Sequence, residues 1–178
     1  MNSSTICSLF LGLILISQSP FAANARQLDL GGGGVPVVSV LCGSSSNKVE
    51  CSKVLSSPQT AQAKNYQQLS KAVDKIAIKK AVKAEAFIKG LAQKSKSEAL
   101  DTCASSYERL VQDFKSCLLF AEGDPETISY NCQLAIENIN LCDRKMAGVN
   151  PAVTALNRQM SFFCELIAII MHHLPNYW

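Results

Sequence analysis

Between Leu100 and Met146 two apolar stripes of helical period flank a Gly123-Asp124-Pro125 turn, and this arrangement constrains the chain more than any other feature. On the first arm Leu100, Cys103, Tyr107, Leu110, Phe114, Cys117 and Ala121 recur in alternating steps of three and four. Ile128, Cys132, Ala135, Ile139, Cys142 and Met146 do the same on the second. Such stripes let two antiparallel amphipathic helices bury a common seam. At the turn, Gly123 suits a left-handed helix end, Asp124 an N-cap and Pro125 the first helical position. Folding there brings Cys103 opposite Cys142, so the stretch reads as a cross-linked helical hairpin.

Two further stripes extend the pattern. Pro58 to Gln93 reads as one long helix with Leu69, Val73, Ile76, Ala77, Ala81, Ala84, Ile88 and Leu91 facing inward and Phe87 beside them. Its other side carries Lys71, Lys75, Lys79 and Lys83. Like charges four apart repel by only a few tenths of a kcal/mol each, which a wet face tolerates. Ser95-Lys96-Ser97-Glu98 has the form of a capping box for the next helix. After Gly148, Asn150-Pro151 opens a last helix to about Leu174, striped by Val153, Leu156, Met160, Phe163, Ile167, Ile170 and Leu174. Its uninterrupted apolar run, residues 166–171, is too short for a membrane span. Four such helices on short connections specify an all-α, up-down-up-down four-helix bundle.

Ahead of the bundle, residues 1–25 read as a signal peptide: Ile6 to Ile16 is almost wholly apolar, and Ala23-Asn24-Ala25 offers a small-x-small cleavage site. Residues 26–36, with glycines 31–34, read as a flexible lead-in, and residues 37–174 as the domain. In Val37–Leu55, Cys42 and Cys51 flank a turn-rich Ser44-Ser45-Ser46-Asn47 centre, so a bridge there would staple a small hairpin. The formal net charge of +3 on 178 residues is no nucleic-acid signature.

An oxidising compartment makes disulfides the default. Cys7 leaves with the leader, and the other cysteines are odd in number. Along their arms Cys103 and Cys117 are fourteen residues apart, whereas Cys132 and Cys142 are ten apart. At ~1.5 Å per residue a second bridge, Cys117–Cys132, would be about one turn out of level with the first. If both formed they would share the mismatch; Cys164 remains as a buried thiol.

No catalytic constellation is present. His172 and His173 point about 100° apart on a helix and cannot chelate one metal from a single face. No Gly-x-Ser-x-Gly, His-Glu-x-x-His or Cys-x-x-Cys occurs. Glu122, Asp124 and Glu126 crowd the hairpin tip, where they read as capping and solvating groups. The expectation is a non-enzyme without metal or cofactor that acts by presenting a surface.

The chain resembles the plant pectin methylesterase and invertase inhibitors. The likeness rests on Cys42-x8-Cys51, Ala99-Leu100-Asp101-Thr102-Cys103 followed by Tyr107, Ala135-Ile136-Glu137-Asn138 leading to Cys142, and Leu156-Asn157 followed by residues 166–170. It implies a four-helix bundle with a small disulfide-stapled N-terminal helical hairpin. It also implies bridges first-to-second and third-to-fourth among the shared cysteines, secretion to the apoplast or cell wall, and a protein partner. In the invertase inhibitors a Pro-Lys-Phe tip enters the enzyme. Here Pro125 is followed by Glu126 and Thr127, which opposes that mode. The resemblance therefore favours a pectin methylesterase inhibitor that blocks the pectin groove by stoichiometric binding, with acid invertase as the alternative target. Its expected contact positions are Ser105, Glu108, Gln112, Gln133, Glu137 and Asn140 on the hairpin, with Asp124, Pro125 and Glu126 at the tip. A different class of reading makes the Lys71, Lys75, Lys79, Lys83 face a docking surface for pectin or an anionic membrane.

Overall fold

The computed structural model describes residues 37–121, 124–146 and 149–174. The expected signal peptide, Gly-rich lead-in, Gly123 and Gly148 lie outside them. Six helices follow in order: α1 (Val37–Gly43), α2 (Lys48–Leu55), α3 (Tyr66–Ser95), α4 (Glu98–Phe120), α5 (Pro125–Met146) and α6 (Pro151–Met171). The four long helices form a ring in which α3 packs on α4, α4 on α5, α5 on α6, and α6 back on α3. The α4–α5 seam is the most extensive of these. Every residue of the two stripes that define the central hairpin is buried. α6 is long and apolar enough to cross a membrane by length and composition. Here its inner face, including Met160, Phe163, Ile167 and Ile170, forms part of the bundle core.

The short α1 and α2 are below the length at which helices persist alone in water. The Cys42–Cys51 disulfide joins them with Cα atoms 5.6 Å apart, and Asn47 caps α2 by accepting the Glu50 N–H at 3.1 Å. One polar tie joins the pair to the bundle, and another closes the turn after α2. Ser46 donates from its N–H and its hydroxyl to the Glu165 carboxylate of α6. At the other end of α2, the buried Thr60 hydroxyl donates to Val54 O at 2.7 Å.

Three boundaries differ from the sequence reading. Residues 56–65 are turns, and α3 begins at Tyr66, because Asn65 takes extended backbone and accepts the Gln68 N–H at 2.8 Å. The expected capping box is not made. Ser95 is the last residue of α3 and its hydroxyl donates back to Leu91 O, while Ser97 caps α4 without a side-chain bond. Lys96 turns the corner in left-handed backbone, φ 49°. The last helix stops at Met171, where the His172 N–H closes onto Ala168 O.

Candidate functional site

The α4–α5 hairpin is pinned near its open end by the Cys103–Cys142 disulfide, with Cα atoms 4.4 Å apart. Beside that bridge the Tyr107 hydroxyl donates to Asn157 Oδ1 at 2.9 Å, and Asn157 Nδ2 donates to Asp143 Oδ1 at 3.0 Å. This relay ties α4 to α6 and α6 to α5. Burial, with the Asp143 charge nearby, pushes the Tyr107 hydroxyl well above its ordinary range, so it stays a donor. Halfway along the seam Asn138 Nδ2 donates to Asp113 Oδ2 at 2.9 Å. Partial burial raises the Asp113 carboxyl, and the Asn138 bond opposes that shift. The scaffold beneath the hairpin's outer face is therefore held by cross-helix bonds, which is what a rigid presenting surface requires.

Cys117 and Cys132 are not bridged; both are buried thiols with Sγ atoms 3.7 Å apart. The register mismatch is not shared between two bridges: Cys103–Cys142 takes the alignment and the other end of the seam takes the offset. Cys164 is a buried thiol as expected. The hydrogen bond with Cys132 and burial hold the Cys117 thiol far up. Burial does the same for Cys164. Asp74 on α3 joins this layer electrostatically, so each bundle helix contributes one of Asp74, Cys117, Cys132 and Cys164. Among the described residues no three His, Cys, Asp or Glu side chains are placed to hold a metal ion.

At the closed end Asp124 caps α5, accepting the Thr127 N–H at 3.1 Å and the Thr127 hydroxyl. The Thr127 bonds hold its carboxyl below the usual carboxylate range. Pro125 opens α5 and Glu126 is exposed. The tip thus displays fixed negative charge.

Ser105, Glu108 and Gln112 on α4 and Gln133, Glu137 and Asn140 on α5 are all exposed. They do not converge on one point. Glu108 turns toward α3, where Lys89 Nζ lies 3.4 Å from it and 2.7 Å from Glu85. Asn140 turns toward α6 and lines a shallow depression with Thr154 and Arg158. The six positions border a broad face rather than a pocket. Sequence reasoning missed its apolar members: Leu119 is 78% exposed, Tyr130 62% and Ile136 42%. Each interrupts the polar side of its helix, and that misplacement was the available signal. Solvent-facing aromatics are the residues that anchor protein interfaces.

Fold and surface define a class: a non-catalytic, disulfide-pinned helical bundle that works by contact. The sequence model of the plant invertase/pectin methylesterase inhibitor family matches residues 36–171, and the chain belongs to that family. Its members are inhibitors rather than enzymes. Among solved structures, the fold is similar to mutant form A of a pectin methylesterase inhibitor from Arabidopsis, with a TM-score of 0.68 and 17% identity, covering 78% of this chain and 97% of that one. A pectin methylesterase inhibitor from Arabidopsis thaliana aligns with a TM-score of 0.60 and 17% identity, covering 78% and 96%. No curated protein matches the chain by sequence.

Proposed function

We propose that the protein is a secreted inhibitor of plant pectin methylesterase, acting in the apoplast by laying the α4–α5 face over the enzyme's substrate groove. The observation that carries the choice of target is the hairpin tip. After Pro125, the exposed Glu126 and Thr127 stand where the invertase inhibitors carry a cation and an aromatic ring, and Asp124 ahead of Pro125 adds negative charge. Invertase works with paired carboxylates, so this tip would meet like charge there. Tyr130 and Leu119, near the same end of the hairpin, supply the apolar contacts that a groove-blocking face needs, and Ser105, Gln112, Gln133 and Glu137 supply its polar border.

The test is a titration of residual activity. Oxidised protein lacking residues 1–25 is mixed with a plant pectin methylesterase and, separately, with an acid invertase. Stoichiometric loss of the esterase activity with invertase unaffected is the expected result. Inhibition of invertase alone overturns the target assignment. Within the first outcome, Tyr130→Ala should weaken inhibition by roughly 5- to 30-fold, equivalent to ~1–2 kcal/mol at an aromatic anchor. An unchanged inhibition constant would remove Tyr130 from the interface.

A further inference from the structure

On the side of the bundle away from that face, α2, α3 and the start of α6 enclose an open cavity of about 720 Å³. Its lining is largely apolar: Val54 from α2, Ile76 and Ala84 from α3, and half-buried Leu156 from α6, with Ala155 exposed at the rim. Phe87 forms a lip and is 45% exposed, although the sequence pattern set it beside the inner stripe. Lys79, Lys80 and Lys83 stand around the opening. Among the described residues no carboxylate pairs with any of the three; Glu50, also on the lining, pairs with Lys53 at 3.7 Å. Lys80 is further held over the buried Phe163 ring, 6.0 Å from its centroid.

An open, largely apolar cleft of this size with a few charges at its edge has the composition of a small-molecule site. A neutral apolar ligand would leave three unneutralised cations beside it. A purely polar polyanion would satisfy them and leave the apolar lining without a partner. From this charge complementarity we infer that the cavity binds a small amphiphilic anion. The ligand's apolar body would lie against Val54, Ile76 and Leu156, with its carboxylate or similar head among Lys79, Lys80 and Lys83. The lysine row read from sequence as a wet face is then only partly that: Lys79 and Lys83 border this cleft, whereas Lys71 and Lys75 border an adjoining depression that shares Gln59 with it. This site is independent of the inhibitor reading, because it lies across the ring from α4 and α5.

The experiment uses the oxidised protein and dodecanoate below its micellar concentration, followed by isothermal titration calorimetry. Saturable one-to-one binding is expected, with dodecanol at least about ten-fold weaker. The double substitution Lys79→Glu and Lys83→Glu, on exposed positions that the core does not use, should cost about ten-fold or more. Ala155→Trp, at the exposed rim, should obstruct the cavity and abolish binding; Gln159→Trp serves beside it if that variant loses its helical signal. Absence of saturable dodecanoate binding overturns the proposal, as does equal affinity for dodecanol. Binding of polygalacturonate in place of dodecanoate, sensitive to the charge reversal but not to the obstruction, also overturns it and assigns the lysines to a polyanion face.

Discussion

The two ends of the α4–α5 seam are built from the same materials, yet they behave as opposites. Near the open end two cysteines are bonded, and the Tyr107–Asn157–Asp143 relay lies alongside with its members partnered. Toward the closed end two other cysteines face each other without a disulfide, and the layer includes the fully buried Asp74, whose carboxyl oxygens have no hydrogen-bond partner among the described residues. Burial alone lifts the Asp74 carboxyl to about 7. The difference comes from the four-residue excess in cysteine spacing on α4. A disulfide sets one level of a helix pair, and a second pair one turn out of step is left at contact distance, ~3.7 Å against the ~2.04 Å of a bond. Sulfur pairs on facing helices become bridges only where the register lets them.

The comparison is broken most severely at its bonded end. Cys103→Ser with Cys142→Ser should destabilise the protein by ~2–5 kcal/mol in denaturant unfolding under non-reducing conditions. A loss below about 1 kcal/mol would mean that packing already sets the register. At the other end, Asp74 binds its proton more tightly folded than unfolded, its ordinary value being 3.8. The stability linked to that proton is therefore full below about pH 4 and is lost as pH rises toward about 7, a change of a few kcal/mol at most. Asp74→Asn should flatten this slope, measured as melting temperature between pH 4 and 8. A slope unchanged by the substitution would show that other groups cause it.

Smaller effects sharpen the contrast. Cys117→Ala should cost ~1 kcal/mol, as loss of a small buried hydrophobe, and should leave inhibition unchanged. Iodoacetamide should label none of Cys117, Cys132 and Cys164 in the native state, since all three are buried; rapid native labelling would contradict that. Smallest of all, Lys89→Ala should leave the denaturant midpoint essentially unchanged despite two carboxylate partners, because its ammonium is exposed and screened.

The bundle was legible because its signal is periodic and long. Each seam residue read on α4 and α5 is buried, and the two short bridged helices fall where Cys42 and Cys51 placed them. The start of α3 was not legible. Pro58 offered a plausible first turn, but Thr60 spends its hydroxyl on Val54, and Asn65, with an equally good capping side chain, lies nearer the apolar run. Asp74 escaped notice for a related reason. It adjoins Val73 in the chain, and only the positions of α4 and α6 decide that it is inside. The outer face was legible as exposed but not as oriented. Glu108 leans to α3 because Lys89 is there, and Asn140 leans to α6; neither neighbour is encoded in its own helix. Leu119 and Tyr130 required attention to what was out of place instead of what repeated.

The manner in which the N-terminal pair of helices is mounted has a mechanical consequence. Internally it is one covalent unit, and the Ser46–Glu165 clamp is its polar mooring to the ring. Its apolar side, Leu41, Val54 and Leu55, is buried in the same core cluster as the four-helix ring, so the unit is docked by packing as well as by Glu165. Because Val54 belongs to this unit and Leu156 to the ring, a molecule lying between them would touch both and add to what holds them together.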